Sequence, residues 1–332
     1  MPRLSLRLVV ACLTVSGACS GHHTVLAPTS SPAPATARTT ATSTRATTSS
    51  NGSTPTAAAT TSVSRPSGSP RHVMIIVLEN REAGQVIGSA SAPAINALAV
   101  KYGQATQAYA TGHPSLPNYL ELIAGATFGI TTDCTTCSVE GQTLADQLSQ
   151  AGIGWRAYME GITSPCPTQA GGNGYAKKHD PFVYFRHIVQ APSLCDNVVP
   201  LTGLDGDLND GGPPFVWVTP NLCHDGHDCS NAIMDSWVDQ TMRTVMASPW
   251  YAAGGTVLLT FDEGTSSLGC CGAHGGHIAA IVVRSGLGPG ARFDGPVDQA
   301  GFLRSIEDVY GLGHLGDATC ACAGSLAPLL GS

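Results

Sequence analysis

Two short apolar runs, each ending in a polar pair, constrain this chain more than any other feature. The run His72–Leu78 is followed by Glu79–Asn80, and the run Gly255–Phe261 is followed by Asp262–Glu263. Both runs are continuously apolar and contain β-branched residues, which is typical of strands buried on both faces of a parallel sheet. Ligands of open α/β sheets bind beyond the carboxyl ends of the strands. The two pairs therefore predict one anionic site at that edge of a sheet.

Alternating apolar and amphipathic segments predict one α/β domain over residues 71–332. Predicted strands cover His72–Leu78, Gly103–Tyr109, Gly154–Met159, Phe215–Thr219, Gly255–Phe261 and Ile278–Arg284. Predicted helices cover Ala92–Tyr102, Leu116–Gly125, Gln142–Ala151, Ser230–Ala247 and Asp298–Gly311. This alternation favours a mostly parallel sheet with helices on both faces. The Gly- and Pro-rich stretches Pro165–Tyr175 and Leu201–Pro214 are predicted to be long surface loops near the site.

The first 70 residues differ in composition from the rest and predict export. Arg3 and Arg7 flank a short apolar stretch with the layout of a signal peptide, so residues 1–18 are predicted to be one. Small residues precede Cys19, as at a lipoprotein processing site, which predicts a lipid on Cys19 that anchors the protein to a membrane. The alternative is an ordinary signal peptide that is cleaved nearby. Residues 19–70 consist mostly of Ser, Thr, Ala and Pro without an acidic residue, and predict a disordered tether.

The charge of the predicted domain excludes one class of function. Five of the 16 basic residues and none of the 23 acidic residues lie in the first 70 positions, which leaves 11 basic residues and a formal net charge of −12. A domain this acidic lacks the basic surface of a nucleic-acid binder. We therefore expect no nucleic-acid partner, and an anionic substrate would have to be received by a metal ion and local dipoles.

Cysteine usage agrees with export. Ten of the 12 cysteines lie in residues 71–332, and an even number in an exported chain predicts disulfide bonds. A bond between Cys223 and Cys229 would close the histidine-containing loop between them. Zinc binding by the pairs Cys134–Cys137 and Cys320–Cys322 is the alternative, and the spacing leaves the connectivity open.

Oxygen-bearing side chains at the predicted sheet edge indicate a hard divalent cation. Glu79 and Asn80, with Asp262 and Glu263, offer the carboxylate and amide oxygens that such cations prefer. A polar residue after a strand can also simply mark where the chain reaches the surface. Two polar pairs after two fully apolar strands favour the metal interpretation.

Ser115 lies in the turn Gly112–Asn118, in front of a predicted helix. The simplest interpretation is an N-cap residue between two prolines. The alternative is catalytic, because a hydroxyl at a helix N-terminus is surrounded by free N–H groups and the positive end of the helix dipole. There it could become a metal-activated alkoxide, and the same N–H groups could receive a phosphate.

Histidines form the third group of candidates. The candidates are His179, His224, His227 and His277. Two of them follow the predicted strand Phe215–Thr219 and so lie beyond a strand end. Neutral imidazole can bind a metal, and imidazolium can protonate a leaving oxygen or hold a phosphoryl oxygen. Solvated loop histidines are the alternative for each one, and that is the interpretation for His113, His187 and His314.

These motifs together resemble a known family. In chain order they are Glu79–Asn80, Pro114–Asn118, Lys178–Phe182, Thr219–Asn221 followed by His-Asp-x-His-Asp, and Phe261–Gly264. The chain resembles the bacterial phosphoesterase family that contains acid phosphatases and phosphatidylcholine-type phospholipases C, within the alkaline phosphatase superfamily. The resemblance covers about residues 71–330, is fairly specific as an ordered set, and implies an alkaline-phosphatase-like core.

The resemblance implies a role for each matching residue. The metal ligands would be Glu79, Asn80, Ser115, Asp262 and Glu263. Ser115 would also be the nucleophile, and His227 and His179 the catalytic histidines. Substrate contacts are assigned to Asn118, His179, His224 and His277. Arg81 is followed by Glu82-Ala-Gly instead of the Ser-Phe-Asp of longer phospholipases, which favours the smaller acid-phosphatase-like members.

The sequence thus predicts an exported, metal-dependent phosphoesterase that hydrolyses phosphate esters through a serine nucleophile. A phospholipase C acting on phosphatidylcholine-type lipids is the first alternative, and a non-catalytic surface-binding lipoprotein is the second. The metal identity, the number of ions and the oligomeric state are left open.

Overall fold

A computed structural model describes residues 71–169 and 171–331 of the chain. The predicted signal peptide, the lipid anchor at Cys19 and the tether lie outside the described residues. No helix in the described part is long and apolar enough to cross a membrane.

The described residues contain one eight-stranded, mostly parallel sheet. Its strands are β1 Val73–Leu78, β2 Gly103–Tyr109, β3 Trp155–Met159, β4 Val198–Pro200, β5 Phe215–Thr219, β6 Thr256–Phe261, β7 His277–Arg284 and β8 Ala291–Asp298. The strand order is β4-β3-β5-β1-β6-β7-β2-β8. Strand β7 runs antiparallel to both of its neighbours, and the other neighbouring strands are parallel. The predicted α/β class is confirmed.

Helices cover this sheet and connect its strands. They are α1 Ala83–Val86, α2 Pro93–Lys101, α3 Ser115–Ala124, α4 Leu144–Gln150, α5 Arg186–Gln190, α6 Pro192–Cys195, α7 Leu204–Asn209, α8 Asn231–Ala247, α9 Pro249–Ala252, α10 Gln299–Tyr310 and α11 Ala327–Leu330. Short 3₁₀ turns lie at Lys177–His179, Pro181–Tyr184, Leu201–Gly203, Gly316–Thr319 and Ala321–Ala323. Helix α2 packs against α8, and α3 packs against α10.

The centre of the sheet forms the core of the fold. Every residue of β1, β5 and β6 is buried. A strand can be apolar at every position only when both of its faces are covered, which is why these segments lack the alternation of a half-exposed strand. The three strands are neighbours in the order β5-β1-β6, so their carboxyl ends meet at one place.

Three details differ from the expectation. Strand β4 has only three residues, and β8 carries a Gly and a Pro, so neither has the apolar run of a typical strand. The stretch Leu201–Pro214 is not a simple loop, because it contains a 3₁₀ turn and helix α7. Leu204 and Leu208, four residues apart, are buried on the same face of α7, which is a helical spacing within a Gly- and Asp-rich segment.

Disulfide bonds pair all ten cysteines of residues 71–332. The bonds are Cys134–Cys137, Cys166–Cys195, Cys223–Cys229, Cys270–Cys271 and Cys320–Cys322. The expectation of disulfide bonds is confirmed, and the structure decides the connectivity that the sequence left open, including the bond between Cys223 and Cys229. The alternative of zinc binding by Cys134–Cys137 and Cys320–Cys322 is wrong, because both pairs are joined covalently.

Candidate active site

Backbone hydrogen bonds continue the sheet one step beyond its central strands and fix the acidic residues there. The Glu79 N–H donates to the Asp225 carbonyl at 2.9 Å. On the other side, the Asp262 N–H donates to the Leu78 carbonyl at 2.8 Å. Carboxylates from the ends of β1 and β6, and from the loop after β5, are therefore held side by side. We call Glu79, Asp225, Asp262 and Glu263 the carboxylate cluster.

Asn80 turns the chain sharply after β1. Its φ is 55°, in the left-handed region that Asn tolerates better than most residues. This turn directs the Asn80 N–H to Asp262 Oδ1 at 3.0 Å and its side-chain amide to Glu79 Oε2 at 2.8 Å. The predicted ligands Glu79, Asn80 and Asp262 thus lie together.

Ser115 is the first residue of helix α3, and its side chain faces the carboxylate cluster. Its Oγ lies 3.2 Å from Glu79 Oε2 and 3.5 Å from Glu263 Oε1, and the residue is buried. The N-cap interpretation is wrong, because the N-cap residue is Pro114 and the Ser115 hydroxyl lies against Glu79 and Glu263. Asp133 accepts the Leu116 N–H instead, at 3.0 Å.

Asn118 holds the turn that presents Ser115. Its Oδ1 accepts the Gly112 N–H at 2.9 Å, and its Nδ2 donates to the carbonyls of Gly112 and Pro114, each at 3.0 Å. The structure thus uses this amide inside the turn Gly112–Asn118. A direct contact of Asn118 with substrate stays a prediction.

His179 lies between two members of the carboxylate cluster. Its Nε2 is 3.3 Å from Glu79 Oε1, and its Nδ1 is 3.3 Å from Asp225 Oδ2. The imidazole is buried and stacks on Tyr119, with ring centroids 5.3 Å apart. The Tyr119 hydroxyl donates to Glu79 Oε1 at 2.5 Å. Sequence reasoning missed Tyr119 and gave Asp225 no role of its own, although both lie in or next to motifs it had identified.

The carboxylate cluster is unfavourable without a cation. Burial, together with repulsion from neighbouring carboxylates, raises the pKa of Glu79 well above its usual value. Burial likewise raises the pKa of Asp225 and of Asp262 to about 7. The Oδ2 atoms of Asp225 and Asp262 are buried without a hydrogen-bond partner in the described structure, as are both ring nitrogens of His179.

These unpaired atoms fit a metal ion. One donor atom from each of Glu79, His179 and Asp225 lies within 4.8 Å of the other two. Buried carboxylates need a partner charge, and carboxylate oxygens with an imidazole nitrogen form a common donor set for divalent cations. Burial lowers the pKa of His179 well below its usual value, and neutral imidazole is the form that binds a metal.

Lys178 contacts Ser115, and His227 contacts Lys178. Lys178 Nζ lies 3.4 Å from Ser115 Oγ and 2.9 Å from Asp133 Oδ2. His227 Nε2 is 3.5 Å from Lys178 Nζ, and its Nδ1 is 2.7 Å from Asp228 Oδ1. Sequence reasoning predicted His227 but missed Lys178 and Asp133.

His113, which the sequence analysis set aside, contacts the carboxylate cluster. Its Nδ1 hydrogen-bonds Glu263 Oε2, and its Nε2 lies 2.9 Å from the Ser266 carbonyl. Burial by itself would lower the pKa of His113, but the hydrogen bonds to Ser266 and Glu263 outweigh it and raise that pKa. Its position two residues before Ser115 was the available signal.

Two predicted substrate-binding histidines have other partners. His224 Nδ1 lies 2.9 Å from both Glu160 carboxylate oxygens, and its ring stacks on Trp237. His277 Nε2 lies 2.9 Å from the Thr106 carbonyl, beside strand β2. The structure gives neither histidine a contact with Ser115 or the carboxylate cluster, so their roles stay predictions.

Comparison with known proteins points to phosphate-ester hydrolases. The sequence model of the phosphoesterase family matches residues 89–313. The chain is 33% identical over 255 residues to the phosphatidylinositol-3-phosphatase of Mycobacterium tuberculosis, covering 75% of this chain and 80% of that protein. It is 30% identical over 166 residues to the phosphate-repressible acid phosphatase of Penicillium chrysogenum, covering 48% of this chain and 40% of that protein.

A solved structure supports the fold. A protein in the alkaline phosphatase superfamily from Vibrio parahaemolyticus superposes with a TM-score of 0.53 at 14% identity, covering 76% of this chain and 70% of that chain. At this level of identity the similarity concerns the arrangement of helices and strands.

Proposed function

The chain belongs to the phosphoesterase family and is a hydrolase of phosphate esters, and from this premise we propose that it is an exported, metal-dependent, acid-phosphatase-like enzyme with Ser115 as its nucleophile. The named relatives are phosphatases, which favours release of phosphate from a phosphate ester. Five disulfide bonds are consistent with an oxidising compartment, and so with export.

The observation that carries the proposal is the position of the Ser115 hydroxyl. Its Oγ lies 3.2 Å from a Glu79 carboxylate oxygen, 3.5 Å from a Glu263 carboxylate oxygen and 3.4 Å from the Lys178 ammonium. Capping a helix would not require these charged groups around the serine oxygen. A serine that must lose its proton and attack phosphorus needs a cation site and positive charge around its oxygen.

A divalent metal would be held by the residues around that oxygen. Glu79, Asn80, Ser115, Asp262 and Glu263 would be its ligands, and Asp225 with His179 offers further donors next to Glu79. Such an ion would supply the positive charge that lowers the pKa of a bound hydroxyl and stabilises a phosphoryl group.

The two catalytic histidines have different surroundings, which separates their proposed roles. The His227 side chain is 33% exposed and its Nδ1 is held by Asp228, so its Nε2 can reach a leaving alcohol and protonate it. His179 is buried between Glu79 and Asp225, so it lies against the carboxylates, as a further metal donor, and not against the leaving group. Water would then hydrolyse the phosphoserine formed at Ser115.

The two alternatives have less support. A non-catalytic surface-binding lipoprotein does not require Ser115 to lie between buried carboxylates and an ammonium group. A phospholipase C would have to open this site to a bilayer, and no feature of the described residues favours that over a phosphatase. Comparing hydrolysis of phosphatidylcholine with hydrolysis of p-nitrophenyl phosphate separates the two enzymes.

Replacement of the nucleophile tests the proposal. We expect Ser115→Ala to lower kcat for p-nitrophenyl phosphate by about 10³-fold or more, because the covalent step is lost. Ser164→Ala, which removes an exposed hydroxyl, is the control and should keep wild-type turnover. Circular dichroism should show the same fold for both variants. Wild-type turnover by Ser115→Ala would contradict the nucleophile assignment.

A further inference from the structure

Lys178 is placed to neutralise charge at the reacting oxygen. In the described residues, it is the only lysine or arginine within hydrogen-bonding distance of Ser115 Oγ. Its Nζ lies 2.9 Å from Asp133 Oδ2, 3.4 Å from Ser115 Oγ and 3.5 Å from His227 Nε2. An ammonium group has three N–H donors, and only its contact with Asp133 is short, so the other N–H groups can turn to a phosphoryl oxygen.

Asp133 fixes this ammonium in place. Its Oδ2 accepts from Lys178, and its Oδ1 accepts the Leu116 N–H at 3.0 Å. One carboxylate therefore links Lys178 to the residue that follows Ser115. The neighbouring Cys134–Cys137 bond restrains the loop that carries Asp133. Both side chains are mostly shielded from water, at 20% exposure for Lys178 and 27% for Asp133.

The site carries an excess of negative charge that Lys178 can partly neutralise. The carboxylate cluster has four acidic side chains, and a phosphate ester adds further negative charge. A phosphoryl group bonded to Ser115 Oγ would therefore need positive charge beyond that of one divalent ion. The Lys178 ammonium, in contact with both the Ser115 hydroxyl and the His227 imidazole, is placed to supply it.

We propose that Lys178 is a catalytic residue whose ammonium binds a non-bridging oxygen of the phosphoryl group during its transfer to Ser115, and that Asp133 is the positioning residue that holds it. This rests on the proposed function. In the step, the bond between Ser115 Oγ and phosphorus forms and the bond from phosphorus to the leaving oxygen breaks. The leaving oxygen takes a proton from the His227 imidazolium, the Ser115 hydroxyl proton goes to water, and Lys178 keeps its protons.

The neighbouring lysine is a matched control. Lys177 carries the same charge one residue away, but its Nζ donates to the Thr135 carbonyl at 2.8 Å and lies over the Tyr184 ring. Replacing either lysine changes the net charge of the protein equally. Only Lys178 contacts the nucleophile.

Steady-state kinetics of Lys178→Ala and Lys177→Ala, with p-nitrophenyl phosphate as substrate, test the proposal. We expect Lys178→Ala to lower kcat by about 10²-fold or more, the size of effect seen when one charge-stabilising donor is removed, while Lys177→Ala stays within about threefold of wild type. Lys178→Arg should recover part of the lost kcat. Added ethylammonium should raise kcat of Lys178→Ala but not that of wild type or Lys177→Ala. A merely structural lysine would not respond to a small amine.

Two further measurements separate the possible failures. Inhibition by orthovanadate should weaken about 10-fold or more in Lys178→Ala and not in Lys177→Ala, because the phosphoryl contact is lost. Asp133→Asn should lower kcat by less than Lys178→Ala does, and the double variant should lose no more than Lys178→Ala, since Asp133 acts through Lys178. Equal kcat and inhibition in Lys178→Ala and Lys177→Ala would overturn this inference alone, whereas an inactive wild-type enzyme would overturn the proposed function.

Discussion

Glu307, which is not part of the carboxylate cluster, shows how burial changes the chemistry of a single residue. It lies on α10, where its Oε1 accepts the Leu315 N–H at 2.9 Å. Its Oε2 is buried without a hydrogen-bond partner in the described structure. Burial raises the pKa of Glu307 from its usual 4.5 to about 8. The folded protein therefore binds this proton more tightly than the unfolded chain does.

The resulting pH dependence has a definite sign. Because the pKa of Glu307 is higher in the folded state, its contribution to stability is full below about pH 4.5 and is lost as the pH rises through about 8. We expect Glu307→Gln to raise the free energy of unfolding at pH 9 by roughly 2 kcal/mol and to have little effect at pH 4.5. Urea unfolding at both pH values measures this. Asp196→Asn, at an exposed carboxylate, is the control, and an equal effect of Glu307→Gln at both pH values would refute the pKa shift.

The loop Cys223–Cys229, which follows strand β5, supplies Asp225 and His227 to the site. Asp225 N–H donates to the Asn221 carbonyl at 2.8 Å, and the Asp225 Oδ1 accepts the His227 N–H at 2.7 Å. Gly226 has a φ of 98°, and a Cβ there would meet Met234 Sδ at 2.8 Å, so this position requires glycine. The disulfide closes the loop that orients both Asp225 and His227.

Opening this loop should cost more activity than opening a distant one. We expect Cys223→Ser with Cys229→Ser to lower kcat about 10-fold or more and stability by about 2 kcal/mol, because the two site residues lose their restraint. Cys320→Ser with Cys322→Ser opens a comparably short loop that contributes no residue to the site, and should keep its turnover. Measurements of kcat and of thermal unfolding on both double variants test this prediction. Equal losses of kcat in the two would contradict the role of the loop Cys223–Cys229.

At the scale of the whole molecule, the site forms where three neighbouring strands end. Each of these strand ends is followed by acidic side chains that are buried at the same edge of the sheet. The order β5-β1-β6 places them side by side, and four carboxylates meet there. Concentrating negative charge in the interior is unfavourable unless a cation binds. The stability of the entire domain should therefore depend on metal.

Metal removal tests this dependence directly. We expect EDTA to abolish phosphatase activity and to lower Tm by several degrees, and addition of a divalent ion to restore both, because an ion that binds only the folded state stabilises it. Asp262→Asn, which removes one proposed ligand, should show a smaller change of Tm on chelation. A Tm that does not respond to EDTA in the wild-type protein would argue against a resident metal in the carboxylate cluster.

Local sequence signals were sufficient for the elements that depend on local chemistry. The apolar runs of β1, β5 and β6 and the helix that follows Ser115 were predicted to within a residue or two, since burial on both faces leaves a continuous apolar run. Strand β4 and helix α7 were missed, because the strand is short and the helix is rich in Gly and Asp. Glu79, Asp262 and Ser115 were found because each follows or begins such an element.

The sequence by itself determined the α/β class, the disulfide-forming cysteines and the candidate oxygen ligands, because these follow from periodicity and side-chain chemistry. Only the tertiary structure decided which residues meet. It brought Asp225, Tyr119 and Lys178 to Ser115 and Glu79, and it gave His224 and His277 other partners. The physical reason is that strand order and loop paths are set by packing of the whole chain, and no local pattern specifies them.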